Sequence, residues 1–148
     1  MKKFILVATI AATMFGCQKN KSEVFSNERG AINGYDPVAY FVAQKPTPGK
    51  EDLTFEWNKA VWHFSTDSNR QLFKDNPEKY APQFGGYCAW GTSRGYKAKT
   101  DPDAWTVVND KLYLNYNREV QAKWLQNRDS LILKAEANWP TVRSTAFK

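Results

Sequence analysis

From Ala31 onward, apolar and polar residues alternate in short blocks rather than in long periodic runs. The stretch LTFEWNKAVWHFS, residues 53–65, has a period of two on both sides of the polar pair Asn58-Lys59. Phe55 and Trp57 share one face before that pair, and Trp62 and Phe64 share one after it. Side chains along a strand point to alternate faces, so the pattern predicts a β-hairpin. A second hairpin is predicted in WTVVNDKLYLNY, residues 105–116, where β-forming residues flank Asn109-Asp110.

The spacing changes in DSNRQLFKDNPEKY, residues 67–80. A short helix is expected there, capped by Thr66 or Asp67, with Leu72 and Phe73 turned inward and Pro77 limiting its extent. NREVQAKWLQNRDSLILKAEANW, residues 117–139, carries Val120, Trp124, Leu131 and Ala135 at helical intervals. Asn117 is placed to cap this longer helix and Pro140 to stop it. Between these elements, Asn33-Gly34 and Asp36-Pro37 read as turns, and residues 44–52 and 93–104 read as loops. Gly85-Gly86 permits a tight backbone passage into Tyr87-Cys88-Ala89-Trp90. The sum is an α+β fold: a small antiparallel β-sheet of hairpins, covered by a short helix and a longer C-terminal one.

The N-terminus has a different texture. Lys2 and Lys3 precede an apolar run, Phe4 to Phe15, interrupted only by Thr9 and Thr13. A membrane-spanning helix needs about 20 apolar residues, so the run reads as the hydrophobic part of an export signal. Met14-Phe15-Gly16-Cys17 resembles a bacterial lipoprotein box, in which Cys17 is acylated and becomes the new N-terminus. A plain secretory signal followed by an incidental cysteine is the alternative. The organisation expected is a signal peptide over residues 1–16, a polar flexible tether over 17–30, a domain over 31–140 and a tail over 141–148. Localisation follows: exported, and lipid-anchored in the cell envelope.

Charge and cysteine count narrow the functional classes. The 148-residue chain has a net charge of +6, and losing Lys2 and Lys3 with the leader leaves it only mildly basic. That is no nucleic-acid footprint. With Cys17 acylated, Cys88 has no disulfide partner in its own chain. The single histidine, His63, would have to be the base of any Ser-His-Asp or Cys-His arrangement, and strand alternation sets it opposite Trp62 and Phe64. Asp101 and Asp103 lie in a stretch without the glycine and terminal glutamate of a calcium loop. No phosphate-binding glycine loop, HExxH or CxxC occurs. Nothing here argues for an enzyme.

Two candidate sites stay open. Cys88 is either a small apolar packing residue or a soft ligand, with His63, for a metal such as copper. Aromatic residues are the other resource, with six tryptophans and seven tyrosines. Trp57, Trp90 and Trp105 lie beside loops and are candidates for stacking an organic ligand, against the default of core packing.

GYDPVAYF, WHFSTDSNRQLFKDNPEKYAPQFGGYCAW, AWTVVNDKLYLNYN and ANWP together resemble the YHS-domain family, in particular its small exported bacterial members. The resemblance covers Ala31 to Pro140. It implies kinship with metal-binding modules of the TRASH type, whose cysteines follow Asp-Pro-Val and occupy Phe-Cys-Ser-x-x-Cys. At those positions this chain has Ala39, Ser65 and Asn69. Neutral oxygen and methyl groups do not replace thiolates for a soft metal. The expectation is a non-enzymatic, lipid-anchored YHS domain acting as a binding or accessory module, with copper as the leading metal. The alternative is metal-independent binding of an organic ligand or a protein through an aromatic surface.

Overall fold

The computed structural model describes residues 22–147. The expected signal peptide, Cys17 and the first part of the expected tether lie outside them. Among the described residues, six short strands and six α-helices give an α+β fold. The strands form three separate antiparallel hairpins rather than one sheet: β1 (Ser26–Asn27) with β2 (Gly30–Ala31), β3 (Lys50–Trp57) with β4 (Ala60–Phe64), and β5 (Trp105–Val108) with β6 (Lys111–Leu114).

Both predicted hairpins are present in the expected register. Phe55 faces Trp62, Trp57 faces Ala60, and Val108 faces Lys111. Their turn residues, Asn58-Lys59 and Asn109-Asp110, all have φ between 50° and 59°. Two successive residues at positive φ give a turn whose twist matches the strands it joins. Strand β3 begins at Lys50, so the end of the expected 44–52 loop is paired, with an irregular register between Lys50 and Thr54.

Helix α1 (Ala39–Val42) is a single turn. α2 (Asp67–Asp75) is capped by Thr66, whose hydroxyl accepts from the Asn69 amide. It buries Phe73 completely among Phe55, Trp57, Trp62 and Phe64. Leu72, expected inside, is 37 % exposed, because the helix turns only one of the two adjacent residues to the hairpin. Pro77 does end α2, and it also opens α3 (Pro77–Tyr80), which Asn76 caps.

The C-terminal helix is two helices, α5 (Arg118–Gln126) and α6 (Arg128–Val142). Asn117 caps the first as expected, and the break falls at Asn127 (φ −134°, ψ 32°). The break turns both Trp124 and Ala135 into one core. Pro140 does not stop α6 but sits in its last turn. Only one N–H is lost there, while buried Val142 and the packing of Trp139 on Phe84 hold that turn. The sequence reading also missed α4 (Ala89–Ser93), which packs on α6 through Asn138 bonds to the Thr92 and Ser93 carbonyls.

The domain edges differ from those expected. Val24 and Phe25, assigned to the tether, are buried, and Ser26 and Asn27 pair with Ala31 and Gly30. At the other end, Val142 is buried and Phe147 packs against Phe25 and Tyr87. The folded unit therefore includes residues 22–30 and the C-terminal segment. Lys97 joins the two ends: its ammonium donates to the carbonyls of Ser22, Arg143 and Thr145 at 2.8–2.9 Å. Among the described residues, no helix is long and apolar enough to cross a membrane.

Two apolar clusters fill the interior. One joins β3–β4, α1 and α2 around Trp62, Phe64 and Phe73. The other joins α5 and α6 to Phe84 and Tyr113 around Trp124. Fully burying an aromatic side chain of this kind contributes roughly 1.5–3 kcal/mol.

Candidate functional site

Asp36 is fully buried, and the chain closes around it. Its Oδ1 accepts from the backbone amides of Val38 (2.9 Å) and Ala39 (3.2 Å). Its Oδ2 accepts from the Ser65 amide (2.8 Å), the Ser65 hydroxyl (2.6 Å) and the Asn69 side-chain amide (2.8 Å). All five neighbours are donors, the complement of an acceptor-only carboxylate. Ala39, Ser65 and Asn69, the positions read as substituted cysteines, thus meet in space around one buried oxygen pair. Ser65 and Asn69 spend their donors on the Asp36 carboxylate.

Cys88 is 1 % exposed and caps α4, its sulfur accepting from the Gly91 amide at 3.5 Å. Its S–H donates to Asn115 Oδ1 at 3.6 Å, and Asn115 is itself fully buried. Burial pushes the thiol pKa up, with hydrogen bonds to the sulfur opposing the shift in part. A thiol held as thiol is a poor nucleophile and a poor ligand. The Nδ2 of Asn115 is buried without a partner.

His63 lies elsewhere. Its Nδ1 donates to the Lys50 carbonyl at 3.2 Å, and its ring lies so close over Gly30 that a Cβ there would meet Cδ2 at 2.7 Å. The partners of His63 and those of Cys88 do not overlap, and among the described residues no group of three or more His, Cys, Asp or Glu could hold a metal. The Cys88 sulfur is engaged with Gly91 and Asn115, and the His63 Nδ1 with the Lys50 carbonyl.

Of the three candidate tryptophans, Trp57 lines a cleft. Trp105 packs against Tyr40, ring centres 5.4 Å apart. Trp90 lies on the second core beneath the Arg94 guanidinium, 4.4 Å from its ring centre. All three rings make packing contacts, Trp57 with Trp62 and Phe73.

The cleft has a volume of about 350 Å³ and lies at the seam of the two apolar clusters. Trp57 and Trp62 come from the first, Phe84 and Trp139 from the second, and Glu23 and Glu78 sit among them. The backbone explains how Glu23 arrives. Gly85 has φ +62°, and a Cβ on it would lie 1.8 Å from the Glu23 carbonyl oxygen. Only glycine allows that approach, which the Phe25 N–H to Gly85 carbonyl bond (2.9 Å) secures. The Trp62 indole N–H is satisfied by the Trp57 carbonyl (3.0 Å), and its ring is buried against Trp57 and Phe73.

Sequence reading missed Glu23, Glu78, Phe84 and Trp139. The Gly85-Gly86 pair was the signal for a close backbone approach, but not for what approaches it. No family model, curated protein or solved structure matches this chain.

Proposed function

We propose that this protein is a non-enzymatic, exported and lipid-anchored YHS-type domain of the cell envelope that binds an organic ligand in the cleft between Trp57 and Trp139, without a metal. The observation that carries the reading is the cleft itself. It is concave and lined by half-buried Trp57 and Trp139, one from each core, together with the polar side chains Glu23, Asn58, Glu78 and Gln83. Small-molecule sites are concave with a few placed polar groups. Its volume lies at the lower end of the roughly 300–1,000 Å³ typical of such sites. Support also comes from the residues on which a metal reading would depend. Asp36 occupies Ser65 and Asn69, and Cys88 is a buried cap. Acylation of Cys17 would hold the domain at a membrane surface, and the tether would run from there to Ser22.

The test uses the full chain in a non-ionic detergent with Cys17→Ser, so that Cys88 is the sole thiol. A thiol reagent should leave the native protein unmodified and react fully after denaturation. Cu(I) titrated against a competing chelator should bind equally weakly with and without Cys88→Ser. Tight stoichiometric copper binding that the Cys88→Ser change abolishes would overturn the metal-free reading.

A further inference from the structure

The charge around the cleft is one-sided. Among the described residues that line it, Glu23 and Glu78 are the ionisable ones, both carboxylates and both exposed to solvent. The remaining rim groups are neutral amides, Asn58 and Gln83. The whole chain, by contrast, is basic, with 21 Lys and Arg against 15 Asp and Glu. A cleft with two carboxylates and no lysine or arginine is therefore an acidic spot on a basic protein. Lys97 is near enough to Glu23 to feel its charge, but its three N–H bonds are committed to backbone carbonyls.

The same cleft is lined by Trp57 and Trp139, both half-buried. The faces of Trp and Phe carry negative electrostatic potential and attract an alkylated ammonium, which loses little hydration when it meets them. Carboxylates at the rim add attraction at longer range and repel phosphate or carboxylate ligands. Aromatic wall and acidic rim thus favour the same ligand charge. Resting on the cleft reading above, we infer that the ligand is a free organic cation, a quaternary or alkyl ammonium compound small enough to seat its head group between Trp57 and Trp139.

The experiment compares choline with 3,3-dimethylbutan-1-ol, which has the same shape and no charge, by tryptophan fluorescence titration of the full chain in non-ionic detergent. Choline should bind saturably and at least roughly tenfold more tightly than the alcohol, a ratio within the strength of desolvated cation–π contacts. Glu23→Gln with Glu78→Gln changes only exposed side chains and should weaken choline by about tenfold while leaving the unfolding midpoint unchanged. Equal affinity for the two probes, or choline binding indifferent to the double substitution, overturns the cation inference.

Further arms separate that failure from failure of the cleft reading. A neutral glucoside that binds, and is lost in Trp57→Ala and in Trp139→Ala, overturns the cation and keeps the cleft. Choline-headgroup vesicles binding in place of free choline overturn the free-solute assignment. A cleft whose fluorescence answers none of these probes overturns the inference together with its basis.

Discussion

At the scale of single residues, Asp36 is the most consequential side chain outside the cleft. A carboxylate deprived of water is stable only if its oxygens are fully hydrogen-bonded, and here five donors from three segments supply those bonds. Asp36→Asn puts an NH₂ where Oδ1 or Oδ2 accepted, so donor faces donor in a buried space. The expected cost is about 3 kcal/mol in urea unfolding, against about 1 kcal/mol for Ser65→Ala, which removes one donor and leaves the others. Equal small costs for the two changes would show that the cage holds nothing together. Cys88 teaches the complementary lesson. Its neighbours in sequence suggested packing, and its partners are Gly91 and Asn115, the second of them 27 positions away.

At the scale of elements, turns and caps were legible because they depend on local chemistry. Asn58-Lys59 and Asn109-Asp110 form hairpin turns, and Thr66 and Asn117 cap helices, each as its residue type implies. What was misjudged were elements whose ends depend on distant neighbours: α4, the break at Asn127 and the helix running through Pro140. Gly85 shows how one backbone position governs an element's docking. Gly85→Ala should detach residues 22–25 from the Gln83–Gly86 turn, because both positive φ and the Glu23 carbonyl exclude a methyl group. A loss of about 2 kcal/mol is expected, together with fast amide exchange at Phe25. Protection of Phe25 unchanged from the parent protein would count against this account of the passage.

At the scale of the whole molecule, the two ends are drawn together beside one aromatic group. The Tyr87 hydroxyl donates to the Ser22 carbonyl at 3.0 Å, while Phe25, Trp139 and Phe147 pack on its ring. Burial pushes Tyr87 up to about 12 from its ordinary 10.0, and raises Tyr40 and Cys88 as well. In each case the unfolded chain ionises before the folded one. Their stabilisation is therefore complete below the unfolded pKa, starts to fall as pH passes about 9–10, and is lost as pH climbs through the folded values. Urea midpoints measured between pH 8 and 11.5 should decline through the upper half of that range. Tyr87→Phe should flatten the decline while lowering the unfolding free energy at pH 8 by about 1 kcal/mol, the net worth of its hydrogen bond. A slope unchanged in Tyr87→Phe would assign the alkaline transition to other groups.

The α+β class, both large hairpins with their turn residues, and the Asn117 cap of α5 were legible in the residues alone, while the structure chose Thr66 over Asp67 as the cap of α2. All of these rest on patterns a few residues long, in which alternation, turn chemistry and capping act between near neighbours. The tertiary structure alone decided that Ala39, Ser65 and Asn69 meet at Asp36, that Cys88 and His63 have separate surroundings, and that residues 22–30 belong to the fold. It also decided where the cleft lies. Glu23, Trp57, Glu78 and Trp139 are spread over more than a hundred positions, and only the packing of two apolar cores brings them to one seam. Local chemistry sets the form of each element, while apolar surfaces far apart in the chain set which side chains share a site.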